Sequence, residues 1–266
     1  MRDYVHGYEG PEGTRLLDQA RTLEDLLHGG TSYPPGSAVL EAGCGVGAQT
    51  VALARRSPGA RFTAVEIDAG SLARAEARAR EAGIESVAFL HADATALPVP
   101  AASFDGAFVC FLLEHLRDPL AALREIRRVL KPGGLLTAIE GDHGSTLVHP
   151  PSEAAAEAVA CQVALQRAAG GDATIGRRLT PLLRMAGYAD AATVPRTVHA
   201  DAARPDLAEG FVLGTFTAMV AGVRDAAVAA GLANPPQFDR GLTDLARAAE
   251  PDGTFTYTFF KATGRA

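Results

Sequence analysis

Tryptophan is absent from these 266 residues, cysteine occurs three times, and lysine only twice, at Lys131 and Lys261. Each scarcity removes a class of protein. Cys44, Cys110 and Cys161 are odd in number and have no CxxC spacing, so they suggest no zinc or redox site and read as reduced, buried thiols. A net charge of −6 with scattered arginines leaves no basic run, and nucleic acid is not an expected partner. No apolar run approaches the roughly 20 residues of a membrane span, and "MRDYVHGYEGPEG" lacks the basic-then-apolar order of a signal peptide. The expected location is the cytoplasm, with no membrane partner; the oligomeric state is left open. At 47% hydrophobic, the chain can bury one large core, with or without an elaborated lobe.

What the chain does have is alternation. "SAVLEAG", "ARFTAVEID", "SVAFLHAD", "FDGAFVCFLL" (104–113) and "LLTAIEG" read as five strands. Between them lie helical patterns. "AQTVALARR" starts at a glycine turn, and "AGSLARAEARAREAG" is capped by Asp68 and stopped by Gly83. Leu116, Leu120, Leu123, Ile126 and Leu130 form one apolar stripe on a helix that Lys131-Pro132-Gly133-Gly134 ends. The tail is less regular, with helices at "PPSEAAAEAVACQVALQRAAGG" and "RRLTPLLRMAGY" and a strand "AATVPRTVHAD" that Pro195 assigns to an edge. Ala-rich helix follows over about 205–249, and "GTFTYTFFKATG" alternates as a last strand. The expected fold is α/β: a doubly wound, Rossmann-like, mostly parallel seven-stranded sheet with a helical substrate cap. We expect a single domain, 1–266, with cap elements at about 1–33, 142–180 and 203–250.

The stretch "VLEAGCGVGAQT" joins the first strand to the first helix, a place where backbone amides meet a ligand. It fits two templates. Gly43, Gly45 and Ala48 match the dinucleotide form, and Glu41, Gly43, Gly45 and Gly47 match E-x-G-x-G-x-G. The carboxylate of Glu41 would repel a pyrophosphate and attract a ligand carrying an ammonium and a sulfonium. S-adenosylmethionine is such a ligand, and it is the expected cofactor.

Four motifs in order then resemble a class I S-adenosylmethionine-dependent methyltransferase of the small-molecule type, over approximately residues 37–141. "EAGCGVG" resembles the first, whose turn, with Cys44 and Gln49, lies against the amino-acid moiety. "AVEID" resembles the second, which implies that Glu66 bonds the ribose hydroxyls and Ile67 packs on adenine. "HADATALP" resembles the third, which implies that Asp93 accepts from the adenine amino group while the backbone of Ala94 reads the ring edge. "FDGAFVCFLLEHLRDPLAALREIRRVLKPGG" resembles the fourth-strand segment, with Phe111 or Leu112 near the methyl donor.

Methyl transfer asks the protein to align the acceptor, exclude water and take a proton where the acceptor has one. Three segments are candidates for that work. The N-terminal segment carries Tyr4, His6, Tyr8, Arg15 and Gln19, and resembles the cap of some small-molecule methyltransferases, in which Tyr8 closes over the donor and Arg15 meets the methionine carboxylate. "EGDHGS" is expected to turn sharply out of the fifth strand at Gly141 and Gly144, presenting Glu140 and His143 as candidate proton acceptors. His115 in "LEHL" is a third. Phe211, Phe216 and Met219 offer an apolar wall. Asp142, His143 and His149 lack a recognised ligand spacing, so no metal is expected. A non-catalytic S-adenosylmethionine-binding regulatory or assembly protein stays open as an alternative, and a dinucleotide-dependent reductase is disfavoured by Glu41.

Overall fold

A computed structural model describes residues 22–266. Among them are β1 (Ala38–Ala42), β2 (Arg61–Glu66), β3 (Val87–His91), β4 (Phe104–Cys110), β5 (Leu130–His149), β6 (Ala189–Ala200) and β7 (Thr254–Arg265). They form one sheet in the order β3, β2, β1, β4, β5, β7, β6. The first five strands pair in parallel. β7 runs against β5, because Ala266 pairs with Gly133 and Gly134 while Tyr257 lies at Gly141. It also runs against β6, where Thr197 meets Thr258 and His199 meets Thr256. β6, with Pro195, is an edge.

The described residues divide into two compact units. The sheet unit holds Glu24–Glu140, Ile175–Pro195 and Phe260–Ala266. Its central strands β1, β2 and β4 are buried on both faces, with successive side chains on opposite sides. Leu40, Ala42, Val65, Ala107, Val109, Leu136 and Ala138 point to one side and join the core of the helices Pro119–Val129 and Leu179–Met185. On the other side Ala64 packs with Ala75 of the helix Ala69–Glu81, and Phe108 stacks on His28 at a centroid distance of 5.4 Å. Asp68 caps its helix as expected, accepting from the Ser71 amide at 2.6 Å. Asp118 caps the next, accepting from Ala121 N.

The bounds of two strands differ from expectation. β4 stops at Cys110 because Phe111 turns left-handed, with φ of 55°, and 113–115 wind into a short 3₁₀ turn. β5 is longer than the expected "LLTAIEG". Leu130 already pairs with Phe104, and a register shift lets Lys131–Gly134 pass as an irregularity in one strand. At the other end β5 continues to His149, so the expected sharp turn at "EGDHGS" does not occur, and neither Gly141 nor Gly144 takes a positive φ. Gly141 is needed for another reason: a Cβ there would stand 2.2 Å from the Tyr257 hydroxyl.

The helical unit holds Thr22, Leu23, Gly141–Thr174 and Arg196–Phe259. Its helix Glu153–Ala168 packs against Pro235–Arg247 through small residues. A side chain at Gly241 would meet Ala154 O at 2.4 Å, so alanine and glycine set how closely the two helices approach. Residues Ala208–Thr217 form a π-helix. Its wide turn aligns positions five apart, which brings the Phe211 and Phe216 rings to 6.3 Å and lets Thr215 Oγ1 donate to Gly210 O. The helical stretch Pro205–Ala229 is 25 residues long and apolar enough, by length and composition, to cross a membrane, a feature the run-based reading missed. Its Phe211, Val212, Phe216 and Val220 are buried within the unit.

The expected stripe is shorter on the helix, since Leu116 precedes Pro119 and Leu130 begins β5, and it is graded: Leu123 and Ile126 are enclosed, whereas Leu120 is partly covered. Leu123→Ala should therefore lower stability by about 2 to 5 kcal/mol, and Leu120→Ala by clearly less. Urea denaturation of both variants checks the order, and equal losses would contradict it.

Candidate cofactor and active site

The sheet order reverses beside β1, since the chain goes outward through β2 and β3 and then returns to place β4 on the other side. Open α/β sheets bind ligands at the carboxyl ends of the strands flanking such a reversal. The glycine turn leaves β1 there. Gly43 and Cys44 donate to Val65 O at 2.8 and 2.9 Å, and Gly43, Gly45 and Gly47 all have positive φ. The three glycines do different work. At Gly43 a Cβ would lie 2.9 Å from Leu112 Cδ1, and at Gly47 it would lie 2.9 Å from Ala75 Cα, so both permit close packing. At Gly45 it would meet nothing within 4 Å. That face of the turn is open to a ligand.

The structure brings the predicted donor residues together around this turn. Glu66, at the end of β2, accepts from Gly45 N at 2.9 Å, Ile67 N at 2.9 Å and Asp68 N at 3.0 Å. Beyond it Ile67 is 37% exposed, an apolar surface left uncovered. Ala92 N donates to Glu66 O, which ties the next loop to the same place. There Asp93 Oδ1 accepts from the amide and hydroxyl of Thr95, and Ala94 is buried. Gln49 bonds His28 Nε2, a partner that sequence spacing did not reveal. Cys44 is enclosed, and burial pushes its thiol up, away from a reactive thiolate.

Glu41 is the exception in this set. It is buried on β1, its Oε2 makes no close hydrogen bond, and burial pushes its pKa up to about 7 against a smaller opposing interaction with the Thr50 hydroxyl. An orphaned buried carboxylate oxygen is costly without a donor. An ammonium group would supply one. The acidic residue, the open glycine and the uncovered isoleucine therefore fit S-adenosylmethionine.

The acceptor-side candidates fare differently. Glu140 has no exposed surface, and its carboxylate accepts from Leu112 N at 3.1 Å, Leu113 N at 2.8 Å and Glu114 N at 3.4 Å. Burial, then the neighbouring Glu114, hold its pKa well above the ordinary range. With no exposed surface, Glu140 is not placed to take a proton from a ligand. Glu114, which sequence reading passed over, lies 3.5 Å from His115 Nε2. His143 belongs to the helical unit; its amide donates to Ala173 O, and Nδ1 pairs with the Tyr257 hydroxyl at 2.9 Å. The Phe216 ring meets it edge-on at 5.9 Å. Tyr257 was also missed, although the alternation of "TFTYTFF" places it on one face with Phe255 and Phe259. Among the described residues no group of three His, Cys, Asp or Glu could hold a metal. Tyr4, His6, Tyr8, Arg15 and Gln19 lie outside the described residues.

Comparison with known proteins agrees with this geometry. Residues 40–138 match the model of a methyltransferase domain. The chain is 33% identical over 220 residues to a 37.1 kDa protein of transposon TN4556 from Streptomyces fradiae, covering 80% of this chain and 63% of that one. It is 35% identical over 132 residues to 27-O-demethylrifamycin SV methyltransferase of Amycolatopsis mediterranei, covering 49% and 48%. The chain thus spans between about half and two thirds of these relatives. Geranyl diphosphate C-methyltransferase from Streptomyces coelicolor, solved with S-adenosylhomocysteine, shares the fold, with a TM-score of 0.56 and 19% identity over 93% of this chain and 75% of that one. Over residues 40–138, from within the first strand to within the fifth, the chain matches a methyltransferase domain.

Proposed function

We propose that this chain is an enzyme moving a methyl group from S-adenosylmethionine to a small organic acceptor by in-line displacement. We propose further that it works as one domain, with acceptor-selecting cap elements at about 1–33, 142–180 and 203–250, in the cytoplasm and without nucleic-acid or membrane partners. One observation carries the donor half of this reading: the unpartnered Glu41 oxygen stands on the strand that leads into a glycine turn open at Gly45. Bound S-adenosylmethionine supplies an already activated methyl group. The chain's own residues then have binding and orienting work. Glu41 receives the ammonium, Glu66 the ribose hydroxyls, Ile67 the adenine face, and Asp93 with Ala94 the adenine edge. His143 takes or orients the acceptor proton, with Tyr257 holding its Nδ1. The printed names of the relatives place a methyl on oxygen in one and on carbon in another, so the class of acceptor, small and organic, is common while the atom is not. Release of S-adenosylhomocysteine in the presence of candidate acceptors tests the reading, and its absence across acceptors in a donor-binding protein would favour the regulatory alternative.

Glu66→Ala removes the acceptor for the ribose and for the Gly45 amide together. Donor-product affinity should fall by about 1.5 to 3 kcal/mol, and the melting temperature should fall with it. A folded variant with unchanged affinity in calorimetry would take Glu66 out of the site.

Glu41 should make donor binding depend on pH. Its pKa in the ligand-free protein is raised from 4.5 to about 7, so the carboxyl is protonated in the folded state where the unfolded chain has lost that proton. Its contribution to stability is full below the unfolded value and is lost as pH rises through about 7. An ammonium ligand needs the ionised form. Affinity for S-adenosylhomocysteine should therefore rise from about pH 6 to about pH 8, with release of a proton readable as a buffer-dependent heat. Flat affinity over that interval would remove Glu41 from contact with the ammonium.

Once an acceptor is known, His143→Ala should lower turnover more than donor affinity. His143→Asn, which can still hydrogen-bond Tyr257, should keep most activity only if the ring merely pins β5. Wild-type turnover and pH profile in both variants would move the acceptor chemistry to His115 or to the N-terminal segment.

A further inference from the structure

We propose that Glu140 is a positioning residue for the donor site, acting through the backbone that follows β4; the proposal rests on the reading of that site as the place of S-adenosylmethionine. The loop after β4 is built in a conformation that it does not favour by itself. Phe111 sits at φ of 55°, a region that a side chain with a Cβ visits at a cost and keeps only when its surroundings hold it. The 3₁₀ turn Leu113–His115 then begins with amides that lack partners in their own turn, and Leu112, at its N-cap, has no side-chain acceptor to offer. Glu140 supplies what is missing. Because Cys110 pairs with Ile139, the next residue along β5 stands beside this loop. One oxygen accepts from Leu112 N and Leu113 N and the other from Glu114 N, so a carboxylate from another strand caps the turn.

What this cap holds in place reaches the glycine turn. Fixing the Leu112 backbone fixes its side chain, which lies so close to Gly43 that an added Cβ would stand 2.9, 3.1 and 3.1 Å from Leu112 atoms. The contacts thus run from Glu140 to the loop amides, from Leu112 to Gly43, and from Gly43 N to Val65 O at the end of β2. They also place Phe111, whose own amide donates to Ile139 O. Glu140 has no surface of its own to present to a ligand, so its influence on the donor passes through this chain of contacts. A glutamine there keeps one oxygen for Leu112 and Leu113 but turns an NH₂ toward the Glu114 amide, a partial loss. An alanine loses all three bonds.

The test uses the full chain, with S-adenosylhomocysteine as the probe. Amide hydrogen exchange and calorimetry are compared for the wild type, Glu140→Gln, Glu140→Ala and Leu112→Ala. Exchange at residues 112–114 should quicken in both Glu140 variants while the strands stay protected. Affinity should weaken about tenfold in Glu140→Ala and less in Glu140→Gln. Leu112→Ala should weaken affinity while leaving exchange at 113 and 114 unchanged, and it carries the test with Glu140→Gln if Glu140→Ala does not fold. Unchanged exchange at 112–114, or unchanged affinity in Leu112→Ala, overturns the proposal. A wild-type chain that shows the protected loop but binds no S-adenosylhomocysteine would instead overturn the donor-site reading on which the proposal rests.

Discussion

Carboxyl groups withdrawn from water on three strands constrain the sheet unit, and the chain satisfies them in unequal ways. Glu66 at the end of β2 and Glu140 on β5 each accept three backbone amides. Those amides come from turns that break the regular ladder, so each acid also supplies the bonds that let the chain turn beside it. Glu41 on β1 keeps one oxygen without a donor. The chain thus meets the same problem twice with its own backbone and leaves the third carboxyl without backbone donors.

The glycine turn depends on the same arrangement. Its backbone is held on one side by Val65 O and on another by Glu66, and it is packed by Leu112 and Ala75 against glycines that have no Cβ to spare. Only Gly45 faces open space. The donor side is therefore rigid on every contact except the one that a ligand would use. Pre-organised backbone donors and a fixed carboxylate suit a reaction in which alignment does most of the chemistry.

The helical unit solves a different problem, that of burying large rings without tryptophan. β7 turns Phe255, Tyr257 and Phe259 to one side, and the π-helix lays Phe211 and Phe216 across them with centroid distances of 5.0 to 5.9 Å. Among these rings His143 and the Tyr257 hydroxyl are the polar pair, and Gly141 exists to make room for that hydroxyl. Conserving the volume of the rings would leave the fold intact; the hydrogen bond between them specifies something further, the orientation of one imidazole.

By itself the sequence determined the α/β class, the five parallel strands, the helix caps at Asp68 and the glycine turn with its carboxylates. These follow from local pattern: period two against period 3.6, an Asp before a helix, glycines between a strand and a helix. It also put Glu41, Glu66 and Asp93 at or just beyond the ends of the first three strand patterns, because their spacing is set by one strand–turn–helix unit after another. Tertiary structure alone decided what Glu140 and Gly141 do. Read locally, "EGDHGS" is a flexible turn with an acid and a histidine to offer. In the fold it is extended β5, since its neighbours in the sheet are the loop after β4 and β7, distant in the chain. A carboxylate's role is set by the donors that reach it, and a glycine's by what approaches it. For these two residues, both come from parts of the chain more than twenty residues away.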